Sequence, residues 1–148
     1  MAPRQWMRKM PVGKTGFEEA YRAVREYRER YADKCVTFYS QQYPQYGWAV
    51  LMGGGSLPNV SISNEQLLKD IAQMKPMDGK GCKVLGSGHI GYLIYRTGGD
   101  ASVQLAPGTY TVYSVDEKSG EVKITMKSAE INTVYAPSYP IEWLQRKQ

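Results

Sequence analysis

The chain has 148 residues, of which 42% are hydrophobic and 22% are charged. This composition is typical of a globular protein and excludes a disordered one, and the length allows one ordinary domain or two small ones. No apolar run approaches the roughly 18 residues of a membrane span, and the charged N-terminal residues are followed by no apolar signal-peptide segment. The chain has twelve tyrosines and three tryptophans but two phenylalanines. Because the rings of tyrosine and tryptophan carry a polar group, this balance favours partly solvated surfaces and ligand contacts.

The net charge of +5 raises the question of a nucleic-acid partner. Residues 1–34 contain nine Lys or Arg and five Asp or Glu, so most of the excess lies in this segment. There, opposite charges such as Arg25 and Glu29 stand four residues apart, the spacing of ion pairs on a solvated helix face. Nucleic acid is therefore disfavoured as a partner. A basic, aromatic-rich module that binds nucleic acid or protein stays the alternative function.

Residues 15–55 predict the order helix, strand, helix, which is the unit of an α/β layer. Thr15 and Glu18 match a T-x-x-E capping box, and apolar residues then recur at helical spacing up to Tyr31. The β-branched and aromatic run "CVTFYS", residues 35–40, predicts a short buried strand. Pro44 can begin the second helix, and the glycines that follow Met52 can end it.

The second half of the chain changes from helical to alternating periodicity. Ser63 and Gln66 match another capping box and predict a linking helix over residues 63–76. From residue 77 onward, "GYLIYR", "ASVQL", "GTYTVYSVD", "EVKITM" and "YPIEWLQ" are separated by turn sequences such as "DEKSG". The predicted fold class is α+β: an α/β segment over 1–62, the linking helix, and a small antiparallel β-sandwich over 77–148.

The stretch "GYLIYRTGGDASVQLAPGTYTVYSVDEKSGEV" resembles the C-terminal β-sandwich that follows the catalytic (β/α)8 barrel in many bacterial glycoside hydrolases. The turn from Asp116 to Gly120 matches the Asp-x-x-(Ser/Thr)-Gly turn of their last strand pair. The segment "WAVLMGGGSLPNV" is similar to the last barrel helix of the same proteins. This resemblance covers roughly residues 15–145, and its motifs are structural.

The resemblance implies a partner, because a (β/α)8 barrel needs about 250 residues and this chain supplies only the closing elements. We therefore expect a C-terminal portion, a truncated relative or one piece of a split protein, working with an upstream barrel domain or a second chain. The two catalytic carboxylates of a glycosidase, about 5 to 10 Å apart, would come from that barrel. The resemblance implies no cofactor, no catalysis by this chain alone, and a periplasmic or secreted location.

If residues 35–40 are the last barrel strand, the residues that follow lie at the carboxyl end, where barrel enzymes bind ligands. The candidate carbohydrate-binding rim consists of Tyr39, Gln41, Gln42, Tyr43, Tyr46 and Trp48. Its aromatic rings could stack on sugars while its glutamine amides bond hydroxyl groups. The alternative is that Tyr46 and Trp48 pack the closing helix against the sheet. The segment 39–46 has no Asp or Glu, so no catalytic residue is predicted in it.

Other patterns of reactive residues give weaker signals. "GSGHIG", residues 86–91, matches a dinucleotide-binding pattern by letter. That pattern needs a following helix, whereas "YLIYR" predicts a strand. His89 is the only histidine, so a metal site has few ligands and none is predicted. Cys35 and Cys82 are best explained as two buried thiols, and the sequence does not reveal whether they pair.

Overall fold

The computed structural model describes residues 16–31, 47–55 and 60–147. The chain divides into two compact units, Met1–Asn59 and Val60–Gln148. A few helices accompany an antiparallel sheet of six strands and a second sheet of two strands. These elements confirm the predicted α+β class, in which sheet predominates. The strand expected at residues 35–40 lies outside the described residues and stays a prediction.

In the first unit, helix α1 (Phe17–Arg30) forms the predicted charge pair between Arg25 and Glu29. Its N-cap residue is Gly16, whose backbone N–H donates to the Glu19 carboxylate at 3.1 Å. The helix therefore begins one residue later than the predicted capping box, and Thr15 lies outside the described residues. On the solvated face, the Arg25 guanidinium contacts the Glu29 carboxylate at 3.0 Å, as the four-residue spacing indicates.

Helix α2 (Gly47–Met52) is short and buried along its whole length. Val50 of α2 packs in one apolar cluster with Val24 of α1. The chain then approaches α1 so closely that a Cβ atom built on Gly53 would lie 2.9 Å from the Tyr21 carbonyl oxygen. The predicted glycine-rich end of this helix thus has a packing role, because only a residue without a side chain allows this approach.

The second unit begins with helix α3 (Glu65–Ile71). Its N-cap is Asn64, whose side-chain oxygen accepts a hydrogen bond from the Leu67 N–H at 2.9 Å. The predicted cap at Ser63 is therefore wrong by one residue, since both residue types cap helices well and Asn64 has the N–H within reach. The Gln66 side chain donates to Asp70 at 2.9 Å and does not close a capping box.

The large sheet is antiparallel throughout, and its strand order is β1-β2-β3-β8-β5-β6, with β4 and β7 forming the small sheet. The strands are β1 (Lys75–Asp78), β2 (Cys82–Ser87), β3 (Gly91–Arg96), β4 (Val103–Gln104), β5 (Gly108–Val115), β6 (Val122–Ile131), β7 (Val134–Tyr135) and β8 (Ile141–Arg146). Both faces of the central strands are buried. The small sheet contributes Val103 and Tyr135 to a core cluster that includes Val84, Ile94 and Leu144 of the large sheet.

The turn between β5 and β6 has the geometry that its sequence predicts. Asp116 accepts hydrogen bonds from the N–H groups of Lys118 (2.9 Å) and Ser119 (2.8 Å), and these bonds, that of Ser119 first, lower the pKa of its carboxyl. Gly120 has a φ of +76°, a conformation that favours glycine. A Cβ atom at Gly120 would lie 1.4 Å from the Ser61 carbonyl oxygen. The turn therefore holds the segment that leads into α3.

Candidate functional site

The predicted carbohydrate-binding rim lies mostly outside the described residues, which include neither Tyr39 nor the segment 41–46. Trp48 is the member that the structure describes. It lies in α2 and exposes 4% of its surface, which favours the packing role over stacking on a sugar, because stacking requires an open ring face. The assignment of the rim as a whole stays a prediction.

Two neighbouring grooves flank the small sheet of the second unit. The first, with a volume of about 510 Å³, follows the bend from β6 into β7 and is called the β6–β7 groove. It is lined by Met126, Ala129, Glu130, Ile131, Asn132, Thr133, Val134, Tyr135 and Ala136. The second, of about 400 Å³, is called the β4 groove and is lined by Asp78, Gly79, Lys80, Ser102, Val103, Gln104 and Val134. Both volumes fall within the range of about 300 to 1,000 Å³ typical of small-molecule sites.

Val134 joins the two grooves, because it lines both of them. It exposes 63% of its surface, the largest fraction among the exposed large hydrophobic residues of the described chain. The opposite wall of the β4 groove is fixed by a bridge between Lys80 and Ser102, whose backbones exchange hydrogen bonds of 2.8 and 2.9 Å. The grooves thus form a single surface whose centre is an apolar side chain.

The polar groups of this surface are of several chemical kinds. The β6–β7 groove offers the Asn132 amide, the Thr133 hydroxyl and the Glu130 carboxylate. The β4 groove offers the Gln104 amide, the Ser102 hydroxyl, the Asp78 carboxylate and the Lys80 ammonium group. Amides and hydroxyls both donate and accept hydrogen bonds. The surface can therefore bond a ligand that is rich in hydroxyl groups.

A buried carboxylate fixes the segment behind the β6–β7 groove. Glu142 of β8 is fully buried and accepts hydrogen bonds from the Tyr135 hydroxyl and from the N–H groups of Ser138 (2.6 Å) and Tyr139 (2.8 Å). Burial, followed by the hydrogen bond to Glu142, raises the pKa of the Tyr135 hydroxyl. Buried charges are tolerated when hydrogen bonds satisfy them, so this arrangement holds Tyr135 in the groove wall.

A second group of hydrogen bonds fixes the chain at the start of β5. The Tyr110 hydroxyl donates to the Ala106 carbonyl at 2.5 Å, and the Ala106 N–H donates to the Tyr92 hydroxyl at 2.9 Å. Burial is the main cause that raises the pKa of Tyr110 to about 12. The Arg146 guanidinium donates to the carbonyls of Gly88 and Pro107. These groups are engaged in holding loops, which gives them a structural role.

The remaining candidates for reactive groups are the two cysteines and the histidine. Cys82 is a free, buried thiol, and burial raises its pKa, while Cys35 lies outside the described residues. His89 lies in the turn between β2 and β3, and strand β3 follows it. Within residues 16–31, 47–55 and 60–147, no three His, Cys, Asp or Glu residues gather as metal ligands. None of the helices described there has the length and hydropathy needed to cross a membrane.

The two grooves are the feature that sequence reasoning missed. They depend on the β4–β7 pairing, which places Val103 opposite Tyr135 and Gln104 opposite Val134, and on the bend at residues 132–133 after β6. The dipeptide Asn132-Thr133, between Ile131 and Val134, is a turn signal that could have located this bend. The pairing of such short strands leaves no periodic pattern in the sequence.

Comparison with known proteins gives one family match. The family described as Domain of unknown function (DUF6298) matches residues 1–74. The match thus covers α1, α2 and α3 and ends where the sheet begins. Comparisons with curated proteins and with solved structures find no match.

Proposed function

Since the chain belongs to the family described as Domain of unknown function (DUF6298), a name that gives no activity, we propose a function from its architecture and grooves. The chain is an accessory part of a glycoside-hydrolase-like protein. It contacts oligosaccharide through its sheet-containing unit and is not catalytic alone. The single observation that carries this proposal is the pair of grooves joined by Val134.

The chemistry of the grooves suits a sugar better than a phosphate-bearing ligand. Sugar hydroxyls need both donors and acceptors, and the amides of Gln104 and Asn132 supply both. The exposed side chain of Val134 offers apolar contact to the C–H face of a sugar ring. Two carboxylates, from Asp78 and Glu130, line the grooves against one ammonium group from Lys80. This balance supports a neutral ligand, because an anion would meet net negative charge.

The resemblance of the chain to the end of a glycoside hydrolase supports the remainder of the proposal. An upstream barrel, or a second chain that contains one, would supply the catalytic carboxylates. The rim at Gln41 and Gln42 would be a carbohydrate contact of its own. This part of the proposal rests on sequence patterns, and the grooves of the second unit support carbohydrate contact independently of it.

A binding experiment with matched variants tests the proposal. The purified chain is titrated calorimetrically with neutral oligosaccharides, and Gln104→Ala and Asn132→Ala are compared with Gln73→Ala. All three side chains are exposed, and Gln73 is absent from both groove linings. We expect each groove variant to weaken binding by about tenfold, corresponding to about 1.4 kcal/mol, with the melting temperature unchanged. Absence of oligosaccharide binding by the wild-type chain, or equal binding by all three variants, would contradict the proposal.

Two further assays separate this function from its alternatives. We expect no turnover of aryl glycosides by the chain alone, and turnover that disappears when one of its own carboxylates is replaced would show that it is catalytic. A salt titration distinguishes nucleic acid, because phosphate binding weakens steeply with salt and contact with neutral sugars does not. Tight, salt-sensitive binding of an oligonucleotide would favour the nucleic-acid alternative.

A further inference from the structure

The loop between β7 and β8 has a backbone with little freedom. It comprises residues 136–140, with the sequence "APSYP", and is called the proline loop below. Its two prolines fix their own φ angles, and Pro140 restricts the residue before it, Tyr139, to extended conformations. Pro137 is buried. The sequence of the proline loop therefore allows it few conformations.

Hydrogen bonds to two strands hold the backbone on both sides of Tyr139. The buried Glu142 carboxylate of β8 accepts from the N–H groups of Ser138 (2.6 Å) and Tyr139 (2.8 Å). Arg96 of β3 donates from its guanidinium to the Ser138 carbonyl at 3.3 Å. Its backbone N–H donates to the Pro140 carbonyl at 2.8 Å. Because the loop is already ordered in this way, a ligand that contacts it loses little affinity to loop ordering.

On this fixed backbone the Tyr139 ring is exposed. It exposes 45% of its surface, and it is the aromatic member of the exposed large hydrophobic residues that the structure describes. It thus has the open ring that the buried Trp48 lacks. A tyrosine side chain offers a large contact area with two rotatable angles, so it loses little conformational entropy when a ligand covers it.

Tyr139 lies within reach of the β6–β7 groove. Ala136 lines that groove and is the first residue of the proline loop. The Cα atoms of Ala136 and Tyr139 are at most about 11 Å apart, because the chain advances no more than about 3.6 Å per residue. The groove also exposes apolar side chains, those of Met126 and Val134. A chain-like ligand in the groove therefore needs only a short extension to reach the Tyr139 ring.

We propose that Tyr139 forms an aromatic subsite, which stacks on one sugar ring of an oligosaccharide whose other rings occupy the β6–β7 groove. This inference rests on the proposed carbohydrate function and deepens it, because it names the ligand class and the residue that favours long chains. The ligand class is neutral sugars with equatorial hydroxyl groups, such as β-linked glucose. The C–H groups of such a ring form apolar faces above and below it, and one of these faces lies on the Tyr139 ring.

A protein partner fits this place less well. A stable protein interface buries about 800 Å² on each partner and centres on a cluster of well-packed anchor residues. The neighbours of Tyr139 in the chain are Ser138 and Pro140, which offer little apolar surface beside the ring. A sugar ring, in contrast, matches the size of a single aromatic side chain.

Calorimetry with short and long probes tests this proposal on the full chain. The probes are disaccharides and hexasaccharides of β-linked glucose, xylose and mannose. We expect the wild-type chain to bind at least one hexasaccharide about tenfold more tightly than the matching disaccharide. Tyr139→Ala should remove most of this gain and leave disaccharide binding within about twofold. Tyr139→Phe keeps the ring and should keep the gain, and so should the control Leu68→Ala, because Leu68 is 46% exposed and lies on α3.

Proton NMR of the bound sugar distinguishes stacking from an effect on the fold. Sugar C–H protons above the ring should shift upfield with the wild-type chain and Tyr139→Phe, and should not shift with Tyr139→Ala, while the melting temperature stays unchanged. Hexasaccharide binding that Asn132→Ala weakens and Tyr139→Ala leaves unchanged would overturn the aromatic subsite and leave the carbohydrate function standing. Equal loss of disaccharide and hexasaccharide binding in Tyr139→Ala, or a dimer that this variant dissociates, would also overturn the subsite. Absence of binding by every probe would contradict both proposals.

Discussion

Replacing the buried carboxylate of Glu142 should destabilise the protein to an extent that depends on whether the new side chain can still accept hydrogen bonds. In Glu142→Leu, three donors lose their acceptor: the Tyr135 hydroxyl and the N–H groups of Ser138 and Tyr139. Each unsatisfied buried donor costs about 1 to 3 kcal/mol. Removal of the buried charge offsets part of this cost. We therefore expect the free energy of unfolding to fall by about 3 to 5 kcal/mol.

Glu142→Gln should be much milder. Its carbonyl oxygen can accept from the two backbone N–H groups that now bond Oε2, and its NH₂ group can donate to the Tyr135 hydroxyl, which can rotate to accept. The loss is then confined to the charge assistance of these bonds, about 1 kcal/mol.

Urea unfolding followed by tryptophan fluorescence measures both variants, since Trp143 of β8 is buried and stacks on Tyr113 with ring centroids 4.4 Å apart. Glu121→Leu and Glu121→Gln are the controls, because Glu121 is exposed. A free energy of unfolding for Glu142→Leu within about 1 kcal/mol of that of its control would contradict the prediction. Equal destabilisation by Glu142→Gln and Glu142→Leu would contradict it too.

Three other predictions concern the sheet-containing unit. Gly120→Ala should lower the melting temperature and the free energy of unfolding, the latter by about 2 kcal/mol or more, because its Cβ would collide with the Ser61 carbonyl at a φ of +76°. The control Gly99→Ala, whose Cβ would have no atom within 4 Å, should leave the melting temperature unchanged. Equal melting temperatures of the two variants would contradict this prediction. Because the pKa of Tyr110 is raised to about 12, its contribution to stability is complete below the unfolded pKa of about 10 and is lost as pH rises through the folded pKa. A tyrosinate absorbance titration in which Tyr110 ionises near the ordinary tyrosine pKa would refute this prediction. Because the pKa of Asp116 is lowered by its hydrogen bonds, that of Ser119 first, its contribution to stability is present above the unfolded pKa and is lost as pH falls through the folded pKa. Carboxyl NMR should show that Asp116 titrates below the ordinary range of aspartate, and an ordinary titration would refute this prediction.

Elements with strong periodicity or distinctive turn chemistry could be predicted from the sequence. Helix α1 follows its apolar stripe and its charge pairs, and β5 and β6 follow from alternation on either side of the turn at Asp116. The caps of α1 and α3 were each displaced by one residue. Neighbouring residues such as Ser63 and Asn64 are nearly equivalent as caps, and only the geometry of the turn decides between them.

The strands β1, β2 and β7 could not be predicted, for three different reasons. The sequence pattern places Pro76 at the end of a helix, whereas the structure places it in edge strand β1, where proline is tolerated. β2 is mostly buried, so its side chains show no alternation between apolar and polar residues. β7 has two residues, too few for any period. Its pairing with β4 creates the grooves, so the candidate site required long-range contacts that a local pattern does not encode.

Mapping of amide chemical shifts by two-dimensional NMR, with neutral oligosaccharides added to the intact chain, tests the central claim most directly. Carbohydrate binding beside β7 predicts saturable shifts that centre on Gln104, Asn132 and Val134, while the amide of Gln73, which lines neither groove, stays unchanged. Shifts absent from both grooves at saturating sugar would contradict the claim that this surface binds carbohydrate.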